Sequence, residues 1–350
     1  MKIHEKYLLR CLNLGSLGLG STAPNPMVGC VIVHNDSIIG EGYTSPYGGP
    51  HAEVNAIRSV QQPELLPEST LYVSLEPCCH YGKTPPCTNL ILDSGIPRVV
   101  IGLQDPNPVV AGKGIEVLKS AGCEVIFGIL DADCKHHHRR FLTFQTKQRP
   151  YIILKWAQSP DGFLAPEANV RDTKKEPYWI SGRRSRQLVH RWRTEESAIL
   201  IGTETAIEDN PQLNSRLWAG KNPIRIVLDR RVRIPHDRQI FDGSVRTLLI
   251  CDPEEVPENT GKIEYIPMDF GTDFLNRLCT KLYELGILSL IVEGGSKTLN
   301  SFLDVDLWDE ARVFEGGIPL KRGVLAPRAR GILRLETQIT QDRLQIWYHD

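Results

Sequence analysis

One histidine and two cysteines in this 350-residue chain have the types and spacing of a metal site. They are His51, two residues ahead of Glu53, and the cysteines of Pro77-Cys78-Cys79-His80-Tyr81-Gly82-Lys83-Thr84-Pro85-Pro86-Cys87. An imidazole and two thiolates leave tetrahedral zinc one open position. Water there is acidified toward neutral pH and becomes a usable hydroxide. Glu53 is near enough to shuttle a proton without binding the metal. Cys79 or His80 as a fourth ligand would close the site into a structural knot, and a knot gives Glu53 no purpose. Pro77-Cys78 after a strand is expected to open a helix, as suits a catalytic site. The spacing therefore predicts catalytic zinc on His51, Cys78 and Cys87.

The elements that must hold these residues are legible upstream and downstream. Residues 1–10 read as an amphipathic first helix without a signal-peptide core. Val28–Val33 reads as a buried strand, Asn35-Asp36 as a turn, and Ser37–Gly40 as a second strand. His51–Val60 and Thr88–Leu92 have helical spacing, and Thr70–Leu75 and Arg98–Gly102 read as strands. A helix over Ile115–Ser120 ends before Gly122, and Cys123–Phe127 is strand-like. Strands alternating with helices imply a layered α/β domain. His136, His137 and His138 are consecutive, point about 100° apart on a helix and cannot chelate one ion, which predicts a solvated helix or connector.

A polar stretch over 145–150, ending in Pro150, marks a seam between domains 1–147 and 148–350. Beyond it the α/β rhythm restarts. Tyr151–Leu154, Ala198–Ile201, Ile224–Leu228, Thr247–Ile250 and Leu288–Val292 are strand candidates, and Arg183–Arg193 is a helix. No G-x-G-x-x-G turn supports a dinucleotide-binding fingerprint. Gly294-Gly295, between a strand and a helix starting near Ser296, lets backbone N–H groups face a diphosphate. Arg193 on its helix and Arg216 in a loop could fork onto a phosphate. Lys155 is expected just past the opening strand.

Composition narrows the function classes. Lys plus Arg number 41 and Asp plus Glu 42. Residues 1–147 hold 12 basic and 13 acidic side chains, and the remainder 29 of each. Neither half is basic, which argues against nucleic acid as a partner. No apolar run approaches a membrane span. Nine cysteines without an export signal read as reduced thiols or metal ligands in a cytoplasmic protein.

His-x-Glu followed by Pro-Cys is the pattern of zinc deaminases, here with eight residues between the cysteines. Together with Thr22-Ala23-Pro24-Asn25-Pro26-Met27-Val28-Gly29-Cys30, it resembles the deaminase domain of the bifunctional deaminase–reductases of bacterial riboflavin biosynthesis. In the second half Ser159-x-Asp161-Gly162, Trp179-Ile180-Ser181, His190 with Arg193, Asp209-Asn210-Pro211-x-Leu213 and Val292-Glu293-Gly294-Gly295 resemble that family's reductase domain. The resemblance implies a cytidine-deaminase-like three-layer domain followed by a dihydrofolate-reductase-like α/β domain. It implies zinc and NADPH as cofactors and a phosphoribosyl pyrimidine as the small-molecule substrate. A homo-oligomer is compatible with it. Asn25 is expected at the pyrimidine, with the Cys79–Thr84 loop shaping its pocket. Arg193, Leu213, Arg216 and Glu293 are expected at the reductase substrate, with Lys155 as its catalytic ammonium. Gln158, Trp179, Thr205, Asp209 and Gly295 are expected at NADP.

Four positions depart from the family pattern. Thr44 stands where a histidine is common; its hydroxyl could bond substrate but cannot carry charge to a phosphate. Pro160, Pro177 and Arg230 replace an aliphatic residue, a serine and a small residue. They motivate a rival in which the second half is an inactive assembly domain. An RNA-editing deaminase is a second rival, opposed by the neutral charge of both halves and the long loop between the cysteines. A non-enzymatic zinc scaffold is a third, and it leaves Glu53 unexplained.

Overall fold

The computed structural model describes residues 2–81, 85–107, 110–167 and 178–349. The chain divides into two compact units, Met1–Gln148 and Arg149–Asp350. No helix among the described residues is long and apolar enough to cross a membrane.

The first unit runs α1 (Ile3–Gly15), β1 (Gly29–His34), β2 (Ser37–Tyr43), α2 (Ala52–Ser59), β3 (Thr70–Val73), α3 (Cys87–Asp93), β4 (Arg98–Ile101), α4 (Lys113–Ser120), β5 (Glu124–Phe127) and α5 (Asp131–Lys147). Its sheet has the order β2-β1-β3-β4-β5, with β1 antiparallel to both neighbours and the last three strands parallel. Asn35 and Asp36 take positive φ values of 46° and 60°. These short polar side chains tolerate that region, and the two-residue turn sets His34 opposite Ser37.

Successive residues of β1 face opposite layers. Cys30 and Ile32 pack with Ala52 and Ala56 of α2, whereas Val31 and Val33 pack with Tyr7, Leu8 and Cys11 of α1. A strand buried on both faces needs apolar side chains at every position, as Cys30-Val31-Ile32-Val33 supplies. The strand expected over Ser37–Gly40 continues to Tyr43 because α2 lies against it. A Cβ on Gly42 would fall 2.4 Å from the Ala56 nitrogen and 2.5 Å from the Ala52 oxygen, so only glycine admits α2 this close.

The histidine run departs from its expected solvation. It sits on α5, where His136 is exposed but His137 and His138 are 8% and 1% exposed. Polarity in the sequence hid a packed helix, because each buried imidazole has a hydrogen-bond partner across the unit.

The second unit runs β6 (Tyr151–Gln158), β7 (Phe163–Ala165), α6 (Arg183–Glu195), β8 (Ala198–Gly202), α7 (Thr203–Asp209), β9 (Ile224–Leu228), β10 (Thr247–Cys251), β11 (Ile263–Pro267), α8 (Phe274–Glu284), β12 (Ser289–Val292), α9 (Ser296–Asp304), β13 (Glu310–Glu315), β14 (Val324–Leu325), β15 (Ile332–Ile339) and β16 (Asp342–Tyr348). The main sheet has the order β11-β10-β9-β8-β12-β6-β13-β16-β15. The strands from β11 to β13 are parallel, and β16 and β15 close the sheet antiparallel. On one face Leu278, Leu282, Leu299 and Phe302 of α8 and α9 cover Ile152, Leu154, Leu290 and Val292. On the other, Val189 and Trp192 of α6 cover Ile153 and Ile291. Each aliphatic side chain so buried contributes about 1.5–3 kcal/mol.

Two further departures concern this unit. Lys155 lies inside β6 rather than after it, because that strand continues to Gln158. No strand was expected over β13, whose Glu310 and Arg312 interrupt the apolar pattern. They are nonetheless 1% and 4% exposed, and Arg312 pairs with both Glu310 and Glu196 at 2.6 and 3.4 Å. All six tryptophans of the chain fall in this second unit.

Candidate functional site

In the first unit three ligand atoms converge from three elements. His51 is the N-cap of α2, Cys78 lies in the loop after β3, and Cys87 is the first residue of α3, behind Pro86. The helix-opening cysteine is thus the second one, not Cys78, since α3 begins at Cys87. Nδ1 of His51 stands 3.6 Å from Cys78 Sγ and 3.3 Å from Cys87 Sγ. The three donor atoms all lie within 4.8 Å of one another. Tetrahedral zinc with ordinary Zn–S and Zn–N bonds sets such atoms about 3.5 Å apart, so the donor set fits the ion. Among the described residues neither Cys79 nor His80 joins the cluster.

The hydrogen bond from Cys87 is the largest influence on Cys78 and holds it down at about 4, while the same bond pushes Cys87 up. The Cys87 N–H also donates to Cys78 Sγ at 3.3 Å. Glu53, in the first turn of α2, is 4% exposed. Burial, then the nearby Cys78 charge, pushes it up to about 7, and it hydrogen-bonds the Cys87 thiol. A carboxyl poised there exchanges protons readily near neutral pH.

Asn25 is half-buried in the loop before β1, its N–H donating to the Thr22 carbonyl at 2.9 Å. Thr44 does not offer its hydroxyl to a ligand. It is 4% exposed, and its Oγ accepts the Val28 N–H at 3.1 Å. Part of the Cys79–Thr84 loop, residues 82–84, lies outside the described residues.

Two acids carry roles that the sequence does not assign. Glu76 is 4% exposed, and its carboxylate accepts backbone N–H groups from Asp105, Gly112, Gly114 and Ile115 at 2.9–3.2 Å. It thereby ties the segment entering α4 to the residue two before Cys78. Asp105 is 8% exposed, and burial pushes it up to about 6. Their signal was adjacency alone: an acid beside Pro77, and a second within Asp105-Pro106-Asn107-Pro108.

In the second unit, β8, β12 and β6 are neighbours, and Gln158, Glu293 and Gly295 lie at or just past the carboxyl ends of β6 and β12. Glu293 follows β12 and meets Arg193 of α6 at 2.8 and 3.2 Å. Lys155 Nζ is 3.7 Å from the same carboxylate. Burial alone would raise Glu293, but the charges of Arg193 and Lys155 outweigh it and hold the carboxyl down at about 2. Burial lowers Lys155 in turn. Arg216 is lowered by burial and by Arg193 and Arg186. Its Nη1 donates to Asn214 Oδ1 at 3.1 Å, and Arg193 donates to the Asn214 carbonyl at 3.1 Å. Leu213 is 2% exposed with φ of 51°, one residue before that anchor.

Thr205 of α7 meets Gly295, the N-cap of α9, through Gly295 N–H to Oγ1 at 3.0 Å. That N–H therefore does not face a diphosphate, and the donors left at this terminus belong to the first turn of α9. A Cβ on Gly294 would lie 2.6 Å from the Thr298 Cβ, which explains the glycine by close approach. Gln158 ends β6 and accepts from Trp156 Nε1 at 2.8 Å. Asp209 ends α7. Trp179 is 53% exposed, with the Arg186 guanidinium 4.4 Å from its ring centre. Pro160 fits a turn in which Gly162 N–H returns to Ser159 O at 2.9 Å. Arg230 is exposed and bonds Asp252 at 3.3 Å, and Pro177 lies outside the described residues.

Comparison with known proteins agrees with both halves. A family described as the cytidine and deoxycytidylate deaminase zinc-binding region matches residues 1–103. A second, described as the RibD C-terminal domain, matches residues 150–319. The riboflavin biosynthesis protein RibD of Aquifex aeolicus is 40% identical over 316 residues, covering 89% of this chain and 86% of that protein. That of Actinobacillus pleuropneumoniae is 38% identical over 352 residues, covering 97% and 88%. Among solved structures, a diaminohydroxyphosphoribosylaminopyrimidine deaminase/5-amino-6-(5-phosphoribosylamino)uracil reductase from Thermotoga maritima superposes with a TM-score of 0.89 at 35% identity, covering 99% of both chains. Acinetobacter baumannii RibD superposes at 0.88 with 32% identity, covering 99% of this chain and 98% of that one.

Proposed function

The chain belongs to the RibD family of riboflavin biosynthesis proteins, and from that premise we propose which of its residues carry the two reactions. The protein is a bifunctional enzyme. It deaminates 2,5-diamino-6-(5-phosphoribosylamino)pyrimidin-4-one with zinc, then reduces the ribosyl side chain of the product to ribityl with NADPH.

We assign deamination to residues 1–147 and reduction to 148–350. His51, Cys78 and Cys87 hold the metal. Zinc, when bound, supplies the Lewis acidity that makes water a usable nucleophile near neutral pH. Glu53 takes a proton at its buried carboxylate and returns it to the departing amine. Asn25 reads the pyrimidine edge through its amide. The observation that carries this reading is the convergence of the three donor atoms within 4.8 Å, beside a carboxyl that is 4% exposed.

For reduction, NADPH supplies the reducing equivalents. Gln158, Trp179, Thr205, Asp209 and the Gly295 turn bind the cofactor. Arg193, Leu213, Arg216 and Glu293 bind and orient the phosphoribosyl substrate. Lys155 holds a proton at Nζ that burial makes easier to release, and a positioned ammonium there offsets developing charge. The intact cluster of Lys155, Glu293 and Arg193 favours a working reductase over an inactive assembly domain.

The test follows ammonia release and NADPH oxidation in one reaction with zinc-loaded protein. Both signals are expected, and Glu53→Ala should abolish both, because the second step consumes the product of the first. Ammonia without NADPH oxidation would reject the reductase assignment. Lys155→Ala should stop NADPH oxidation and leave ammonia release intact.

A further inference from the structure

The peptide between Met27 and Val28 is held from both sides by side chains outside the metal cluster. Its carbonyl accepts from His137 Nε2 at 2.7 Å, and its N–H donates to Thr44 Oγ1 at 3.1 Å. A carbonyl only accepts, so His137 carries its proton on Nε2. Thr44 adds a backbone bond, its N–H reaching the Val28 carbonyl at 3.0 Å. The next peptide is held as well: Gly29 N–H donates to Ser74 Oγ at 3.2 Å, and that hydroxyl meets His138 Nε2 at 3.2 Å. Thr44, His137 and His138 are 4%, 8% and 1% exposed, so water does not compete for these bonds.

The clamped peptide begins two residues after Asn25. We propose that Thr44 and His137 are positioning residues for deamination: together they lock the Met27–Val28 peptide and so aim the Asn25 amide at the pyrimidine. This rests on the assignment of Asn25 as a pyrimidine contact. Position 44 in this chain then serves substrate recognition through the backbone, with its hydroxyl bonded inward. His137 of α5 gains a purpose that needs no metal.

The test measures deaminase KM and kcat separately, with zinc content and the reductase turnover of the same chain as controls for folding. Thr44→Val and His137→Leu each remove one partner of a buried peptide group and should raise KM about tenfold while kcat stays within about twofold. Thr44→Ser and His137→Gln restore a hydroxyl and an N–H donor and should recover KM. In an Asn25→Ala background, Thr44→Val should add nothing further. A raised KM for Asn25→Ala beside an unmoved KM for Thr44→Val would overturn the clamp alone. An Asn25→Ala variant with unchanged KM would remove the pyrimidine contact and the clamp with it. Zinc loss with falling kcat would also overturn the proposal, because the pair would then be holding the metal loop.

Discussion

The guanidinium of Arg193 grips the carboxylate of Glu293 with two hydrogen bonds, 2.8 and 3.2 Å long, across 100 residues of sequence. Both side chains are about nine-tenths buried, at 11% and 10% exposure. Lys155 shares the same carboxylate, so removing Glu293 strands two buried cations. Glu293→Ala should therefore lower the unfolding free energy of the second unit by about 3–5 kcal/mol. Tryptophan fluorescence during urea unfolding checks this. An effect no larger than that of an exposed pair, such as Arg233 with Glu204, would contradict it.

His190 makes the same region pH-sensitive. Burial, with the charges of Arg193 and Arg216, lowers its pKa to about 4. An unfolded histidine titrates near 6.5. The unfolded chain thus binds the proton first as pH falls. The stabilisation is complete above about 6.5 and is lost progressively as pH falls from there through about 4. His190→Gln should flatten that part of the stability–pH curve. An unchanged slope would refute the assignment.

Metal removal separates the two reactions. Chelation should abolish ammonia release, because the ligands proposed above, His51, Cys78 and Cys87, would lose their ion. NADPH oxidation supplied with the deaminated substrate should persist. Loss of both activities on chelation would show that the metal's influence extends beyond the first unit.

Glu76 should act through the backbone it holds. Glu76→Ala leaves four N–H groups without their acceptor and should cost about 2–4 kcal/mol in the first unit. Hydrogen exchange at Asp105, Gly112, Gly114 and Ile115 should accelerate together. Exchange that stays slow at those amides would mean other acceptors replace the carboxylate.

Spacing alone singled out His51, Cys78 and Cys87, whose donor atoms the fold brings within 4.8 Å of one another, and Glu53, which it buries. The sequence also announced strands such as Tyr151–Leu154 and Ala198–Ile201, because parallel strands covered on both faces must be apolar throughout. It concealed β13, since Glu310 and Arg312 neutralise each other only after folding. It concealed the role of α5 too, because consecutive histidines read as polar surface until the carbonyl of Met27 and the hydroxyl of Ser74 are brought to them. Partners distant in sequence turn such residues from solvated to structural, and one-dimensional spacing carries no trace of them.

The place of β16 in the second sheet has a consequence for how the protein is made. Formed by Asp342–Tyr348, it lies between β13 and β15, away from the sheet edge. Every strand of the first sheet, by contrast, is complete by Phe127. During translation the first unit can fold while the ribosome is still elongating, but the second cannot close its sheet until residue 348 has emerged. Until then β13 and β15 lack the strand that joins them, and a chain cut before Asp342 would lose an interior strand.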